Sequence, residues 1–303
     1  MDTVRTHSDL AMIRDLVAQG PSAALGDFFT APYLTRALLI VLLLAIPAGI
    51  LGVWIILRRM AFFTHVVGQS TFPALVLATI VGWSLLATSI VAAAAVAVVL
   101  GLIAGGRRLE ESAHVALALA GALALGAFLV SDVADPGVSV NGLLFGSLLS
   151  TTREDVWAAG ILAAVTLVAA VVTRRTMTVA TFDPMLARTE GSRRTRLTEI
   201  LVLVLLATTV AVSVRMVGTL LVGGLFLIPA ATARLLTSRI ATLMPVAVLL
   251  AAATGTVGLV VADATAWPPG ATIAVTSAAT FIVVMALATA ARHVRPLARL
   301  FPT

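Results

Sequence analysis

The chain has 303 residues, 60% of them hydrophobic and 11% charged, with a mean hydropathy of +1.09. Soluble domains carry about a quarter charged residues, so this is an all-α integral membrane protein with no room for a sizeable ATPase or kinase domain. The net charge of +6 does not point to nucleic acid, because the 20 basic residues flank apolar segments as cytoplasmic markers do. All 20 are Arg, a composition bias and not a functional signal. With no Cys, disulfide, thiolate-metal and thiol redox chemistry are excluded.

Residues 1–34 form a polar and mixed N-terminal segment. Leu10, Ile13, Leu16 and Val17 keep helical spacing there, which predicts a short amphipathic helix. The acidic Asp2, Asp9 and Asp15 and the lack of an apolar core before Ala37 are unlike a signal peptide. The membrane region is read as 35–291, and 292–303 as a cytoplasmic tail.

Apolar segments follow at about 36–57, 66–82, 85–104, 113–131, 156–173, 198–214, 217–233, 243–262 and 271–291. A span needs roughly 20 apolar residues, so the expected architecture is a polytopic bundle of about nine transmembrane helices, eight being the other count the segments allow. Alternation of these nine puts Arg58, Arg59, Arg107, Arg108, Arg174, Arg175, Arg188, Arg193, Arg194, Arg196, Arg234, Arg239, Arg292, Arg295 and Arg299 on one side. That side is cytoplasmic by the positive-inside rule, with the C-terminus in the cytoplasm and the N-terminus outside. The run near 140–149, Val140 to Leu149, is too short to cross and predicts a re-entrant or surface helix.

Three places depart from uniform apolar helix. His65 and Gln69 stand four apart at the start of the second segment, and so share one helix face. Polar groups at membrane depth face a protein interior or a water-filled path, which places this face beside a route across the membrane. Arg215 to Gly218 leaves almost no loop and predicts a tight outer hairpin, while Pro229 removes a backbone donor inside a span. Gly218 and Pro229 are therefore candidate gating or packing positions, among small residues (Gly223, Gly224, Ala230, Ala231, Ala233) that allow close helix approach.

Four stretches in order carry a resemblance. Val53-Trp54-Ile55-Ile56-Leu57-Arg58-Arg59-Met60-Ala61-Phe62-Phe63 is one, and Val140 to Gly146 followed by Glu154-Asp155 is the second. The third is Phe182-Asp183-Pro184 with Leu186, Ala187 and Gly191, and the fourth is Val217 to Val222 through Ile228 to Arg234. Over residues 32–291 they resemble the permease subunits of metal-importing ATP-binding-cassette systems, the zinc/manganese/iron-chelate group.

The resemblance implies a transport subunit without a catalytic site or cofactor of its own, in a bacterial cell membrane. The implied partners are a cytoplasmic ATP-binding subunit, an external or periplasmic metal-binding protein, a second permease copy and membrane lipid. Phe182, Asp183, Pro184, Leu186 and Ala187 are the implied ATPase-coupling segment. Asp183 before Pro184 also reads on its own as an N-cap followed by proline at the first helical position.

One departure stands out. Where the family usually has a small residue, an aspartate and, four positions later, a histidine, this chain has Thr64, His65 and Gln69. Imidazole is a good zinc ligand, an amide oxygen a weak uncharged one, and the missing carboxylate removes an attraction for a divalent cation. His65 stays open between metal ligand and hydrogen-bonded structural histidine, and Gln69 between pathway residue and interhelical tie. His7, His114 and His293 read as surface residues, and Asp132, Asp135 and Asp263 as solvated loop carboxylates.

The leading expectation is thus an ATP-driven importer of zinc or manganese. An ion-gradient-driven secondary transporter would need ionisable residues in mid-span, and the segments contain almost none. An intramembrane hydrolase would need a nucleophile elbow or a His-Glu-x-x-His run, and neither is present.

Overall fold

The structure, a computed structural model, describes residues 32–104, 113–132, 151–182, 192–218 and 222–298. The expected helices at 10–17, 140–149 and 184–188 lie outside the described residues. Among those described there are nine α-helices: α1 (Pro32–Leu57), α2 (Ala61–Val81), α3 (Leu85–Ala104), α4 (Ala113–Asp132), α5 (Arg153–Phe182), α6 (Ser192–Val217), α7 (Val222–Leu236), α8 (Ile240–Thr265) and α9 (Pro269–Ala298). Each answers to one expected apolar segment, in order. Six contain a stretch long and apolar enough to cross a membrane: α1, α2, α5, α6, α8 and α9.

The differences from the sequence reading lie at helix ends. Expected to stop at 173, α5 runs on to Phe182. Its 30 residues make about 45 Å at 1.5 Å per residue, well beyond a hydrocarbon core of about 30 Å. The part after Arg175 mixes three threonines with Met177, Val179, Ala180 and Phe182, and a helix leaving lipid has no reason to stop where its apolar run does. The span expected at 217–233 is instead the 15-residue α7, because α6 continues to Val217 and ends at Gly218. Gly218 has φ +95°, and its amide donates to the Val214 carbonyl at 2.8 Å. A residue without Cβ takes that left-handed conformation freely.

The bundle is arranged around α1. In its most apolar stretch 72% of residues are buried, against 28% in α5 and 17% in α9. It packs on α8, α5 and α7, while α2 packs on α4, α3, α6 and α7. The core follows these contacts: Ile40, Leu44, Ala48, Leu51 and Ile55 of α1 join Val66, Val67 and Leu75 of α2, Val210 and Val214 of α6, and Phe226 of α7.

Small residues set the approach distances. A Cβ on Gly49 would stand 2.5 Å from the Val248 amide nitrogen of α8, and one on Gly52 would overlap the Phe226 carbonyl of α7. Apolar side chains gain little by leaving one another for lipid, so close backbone approach and interhelical hydrogen bonds hold such helices together. The α8–α9 seam shows both. Gly258 lies against the Ile273 backbone, and Ser277 Oγ donates to Thr254 Oγ1 at 3.1 Å.

Candidate functional site

The α1–α2 corner delivers the polar face of α2. Arg59 sits at φ 54°, the Met60 amide donates to the Ile55 carbonyl at 2.8 Å, and the Arg59 amide to Ile56 at 3.1 Å. This paired 6→1 and 5→2 closure is a Schellman motif, so α2 restarts at Ala61 after a three-residue corner.

Along α2, hydroxyl groups satisfy themselves on their own helix. Thr64 Oγ1 donates to the Ala61 carbonyl at 2.8 Å, Thr71 Oγ1 to Gly68 at 2.6 Å, and Ser70 Oγ to Val66. Gln69 does not follow them. It is 1% exposed, and its Oε1 has no hydrogen-bond partner. His65, one turn earlier, is only half-buried. The shared face predicted from the four-residue spacing therefore runs from a partly accessible imidazole to an enclosed amide.

Two hydroxyls share the condition of Gln69: Thr166 Oγ1 on α5 and Ser213 Oγ on α6 are buried without partners. α6 packs against both α2 and α5, so the three unpartnered oxygens belong to contiguous helices. Their neighbours Thr208 and Thr209 return their hydroxyls to Val204 and Leu205 of α6 in the ordinary way. Leaving a buried polar atom unpaired costs about 1–3 kcal/mol, and such groups call for a functional account.

The chemistry on offer is neutral oxygen and one imidazole, with one buried carboxylate, Asp155 at the start of α5, whose Oδ2 accepts from the Thr152 amide and hydroxyl. Among the described residues no three His, Cys, Asp or Glu side chains gather into a metal site. Uncharged oxygen donors suit hard divalent cations, whereas zinc favours thiolate and imidazole. Sequence reading missed Thr166 and Ser213, since a hydroxyl on an apolar helix reads as ordinary packing until its partners are known.

At the other end of the corner Arg58 reaches two helices. Its Nε donates to Thr181 Oγ1 of α5 at 3.2 Å, and its Nη2 pairs with Glu199 Oε1 of α6 at 3.2 Å. Leu51, Trp54, Ile55, Met60, Val202 and Leu206 line a crevice beside this pair; neither His65 nor Gln69 lines it.

The remaining candidates are placed unevenly. Phe182 ends α5 with its side chain 59% exposed. Asp183, Pro184, Leu186 and Ala187 lie outside the described residues. Gly218 terminates α6, and the buried Pro229 sits inside α7, where it cannot supply the amide that would pair with the Leu225 carbonyl.

Residues 30–288 match the ABC 3 transport family. The manganese transport system membrane protein MntC of Halalkalibacterium halodurans is 30% identical over 228 residues, which is 75% of this chain and 76% of that protein. The manganese import system permease protein ScaB of Streptococcus gordonii is 26% identical across 87% of this chain and 94% of its own length. Among solved structures, PsaBC from Streptococcus pneumoniae in complex with Fab superposes with a TM-score of 0.76 at 24% identity, over 87% of this chain and 94% of that one. A metal-chelate type ABC transporter in an inward-facing conformation gives 0.65 at 20% identity, over 83% and 85%. At those identities the structural likeness is one of fold. The match over 30–288 takes in nearly the whole bundle, from just before α1 to well inside α9, so the chain belongs to the ABC 3 transport family.

Proposed function

We propose that this chain is the membrane-spanning subunit of an ATP-driven importer of a divalent transition metal, with manganese the better cargo than zinc. Metal arrives from an external binding protein, a separate cytoplasmic subunit hydrolyses ATP, and a second permease copy completes the pathway in a bacterial cell membrane. The observation that carries this reading is the family match along almost the entire bundle. The names of the relatives MntC and ScaB and the oxygen-rich interior of α2, α5 and α6 favour manganese, a metal suited to oxygen ligands.

In this reading the α2 face works by weak solvation. An ion arriving from outside meets the enclosed Gln69 carbonyl oxygen first, which replaces part of its lost hydration, and then the more accessible His65 nearer the cytoplasmic corner. Without the family's aspartate there is no fixed negative charge to trap the ion, so release toward the cytoplasm is easy and loading depends on the binding protein. The exposed Phe182 side chain and segment 183–191 suit contact with the ATPase.

The test is co-purification with the cognate ATPase, followed by ATP hydrolysis in lipid with the binding protein present. Manganese-loaded binding protein should stimulate hydrolysis more than the zinc-loaded form. Hydrolysis indifferent to every divalent metal would remove the metal assignment.

A further inference from the structure

Arg58 occupies an unusual position between the helices that flank segment 183–191. Thr181 lies one residue before the end of α5, and Glu199 lies two turns into α6. The Arg58 guanidinium bonds to both, although Glu199 is 141 residues away in the chain. The Thr181 hydroxyl donates its own proton to the Met177 carbonyl at 2.7 Å, so its lone pair is left to receive Arg58 Nε. A planar fork with donors in fixed directions can serve two acceptors on two helices at once, which a lysine ammonium does less well.

The other side of Arg58 is the Schellman corner that leads into α2. Met60 of that corner lines the same crevice as Glu199, Val202 and Leu203 of α6. The corner therefore faces α6 across this crevice and is fastened to α5 and α6 by Arg58. His65 and Gln69 follow within the first two and a half turns of α2.

Resting on the importer reading above, we propose that Arg58, Thr181 and Glu199 form a clamp that makes the α1–α2 corner move with the two helices holding segment 183–191. Displacement of that segment by the ATPase is then delivered to the start of α2, and so to the polar face carrying His65 and Gln69. Arg58 is a positioning residue here. The pair adds little stability, because Glu199 is 37% exposed and water weakens such a pair. Its function is geometric coupling.

The clamp is tested in the complete transporter in lipid, with manganese-loaded binding protein, by the ratio of manganese imported to ATP hydrolysed. Glu199→Gln and Arg58→Gln should each lower that ratio by about twofold to fivefold, the scale of a partly exposed charged pair. The swap of Arg58→Glu with Glu199→Arg restores the ion pair to α6 but offers Thr181 no donor, so it should recover part of the loss. Wild-type ratios in the single variants, or a swap as poor as the singles, would overturn the clamp. A second measurement needs neither ATPase nor manganese and so separates this idea from the importer reading. The chain has no Cys, so spin labels at Arg59→Cys and Leu197→Cys report the corner-to-α6 distance directly. One narrow distance that broadens on adding Glu199→Gln supports the clamp. A distribution unchanged by Glu199→Gln refutes it, even if metal import is confirmed.

Discussion

At the scale of single residues, Gln69 is the most informative side chain. An amide at 1% exposure with a carbonyl oxygen lacking a partner is a burden on folding unless something else uses it. Gln69→Leu should therefore raise thermal stability in detergent, by about 1 kcal/mol when the unpaired acceptor is removed, while manganese uptake falls. Uptake at the wild-type level in the stabilised variant would take Gln69 off the path. The missing charge leads to a second expectation. Replacing His65→Asp together with Gln69→His supplies a carboxylate and an imidazole on the same face, a stronger transition-metal pair. Zinc uptake should then rise relative to manganese in a two-metal competition assay, and an unchanged ratio would mean that selectivity is set elsewhere. The sequence alone marks His65 and Gln69, because polar side chains in an apolar run are conspicuous. It does not distinguish the half-buried imidazole from the enclosed amide. That difference depends on which helices surround α2, and no local spacing encodes it.

At the scale of elements, helix existence was legible and helix ends were not. Nine apolar runs became nine described helices, since hydrophobic length is a direct physical requirement of the bilayer. The ends at Phe182 and Gly218 depend on backbone propensity outside the lipid and on one left-handed residue. The glycines separate in the same way. Gly218, expected as a gating or packing position, takes the left-handed conformation that stops α6. Gly52, which carried no sequence signal, is where α1 meets the α7 backbone. Gly218→Ala should destabilise by about 1–2 kcal/mol through the left-handed penalty, and Gly52→Ala by about 1–3 kcal/mol through overpacking. Gly224→Ala is the matched control, because its Cβ would meet only Ile228 Cδ1 of its own helix, at 3.4 Å, and alanine is the better helix former. Detergent melting of the three variants checks this. A loss at Gly224 equal to that at Gly52 would contradict the packing account.

At the scale of the whole molecule, the arginines and the exposed tryptophans lie at different helix ends. The arginines gather at one set of helix ends. Trp83, Trp157 and Trp267, exposed by 59%, 73% and 62%, lie near the opposite set, whereas Trp54 is buried in the core. Lipid-facing tryptophan settles at the membrane–water boundary while arginine excess marks the cytoplasm. Tryptophan marks a boundary on either side of the membrane, so the arginine excess alone carries the expected assignment of the inner rim. The open point in this arrangement is α7, whose 15 residues make about 22 Å, short of a hydrocarbon core of about 30 Å. It packs on α1, α2, α8 and α9, and a helix enclosed by protein need not match the lipid thickness as an exposed one must. On this argument we expect α7 to cross. Single cysteines in this Cys-free chain test the point with a membrane-impermeant maleimide. Trp83→Cys and Trp267→Cys should react in intact cells, while Arg59→Cys and Phe182→Cys should react only after permeabilisation. The deciding site is Leu236→Cys at the exposed end of α7. Protection in intact cells establishes α7 as a full crossing and puts the C-terminus in the cytoplasm. Labelling from outside would instead turn α7 back on itself, invert α8 and α9, and carry Arg239 and Arg292 to the outer side, against the arginine pattern.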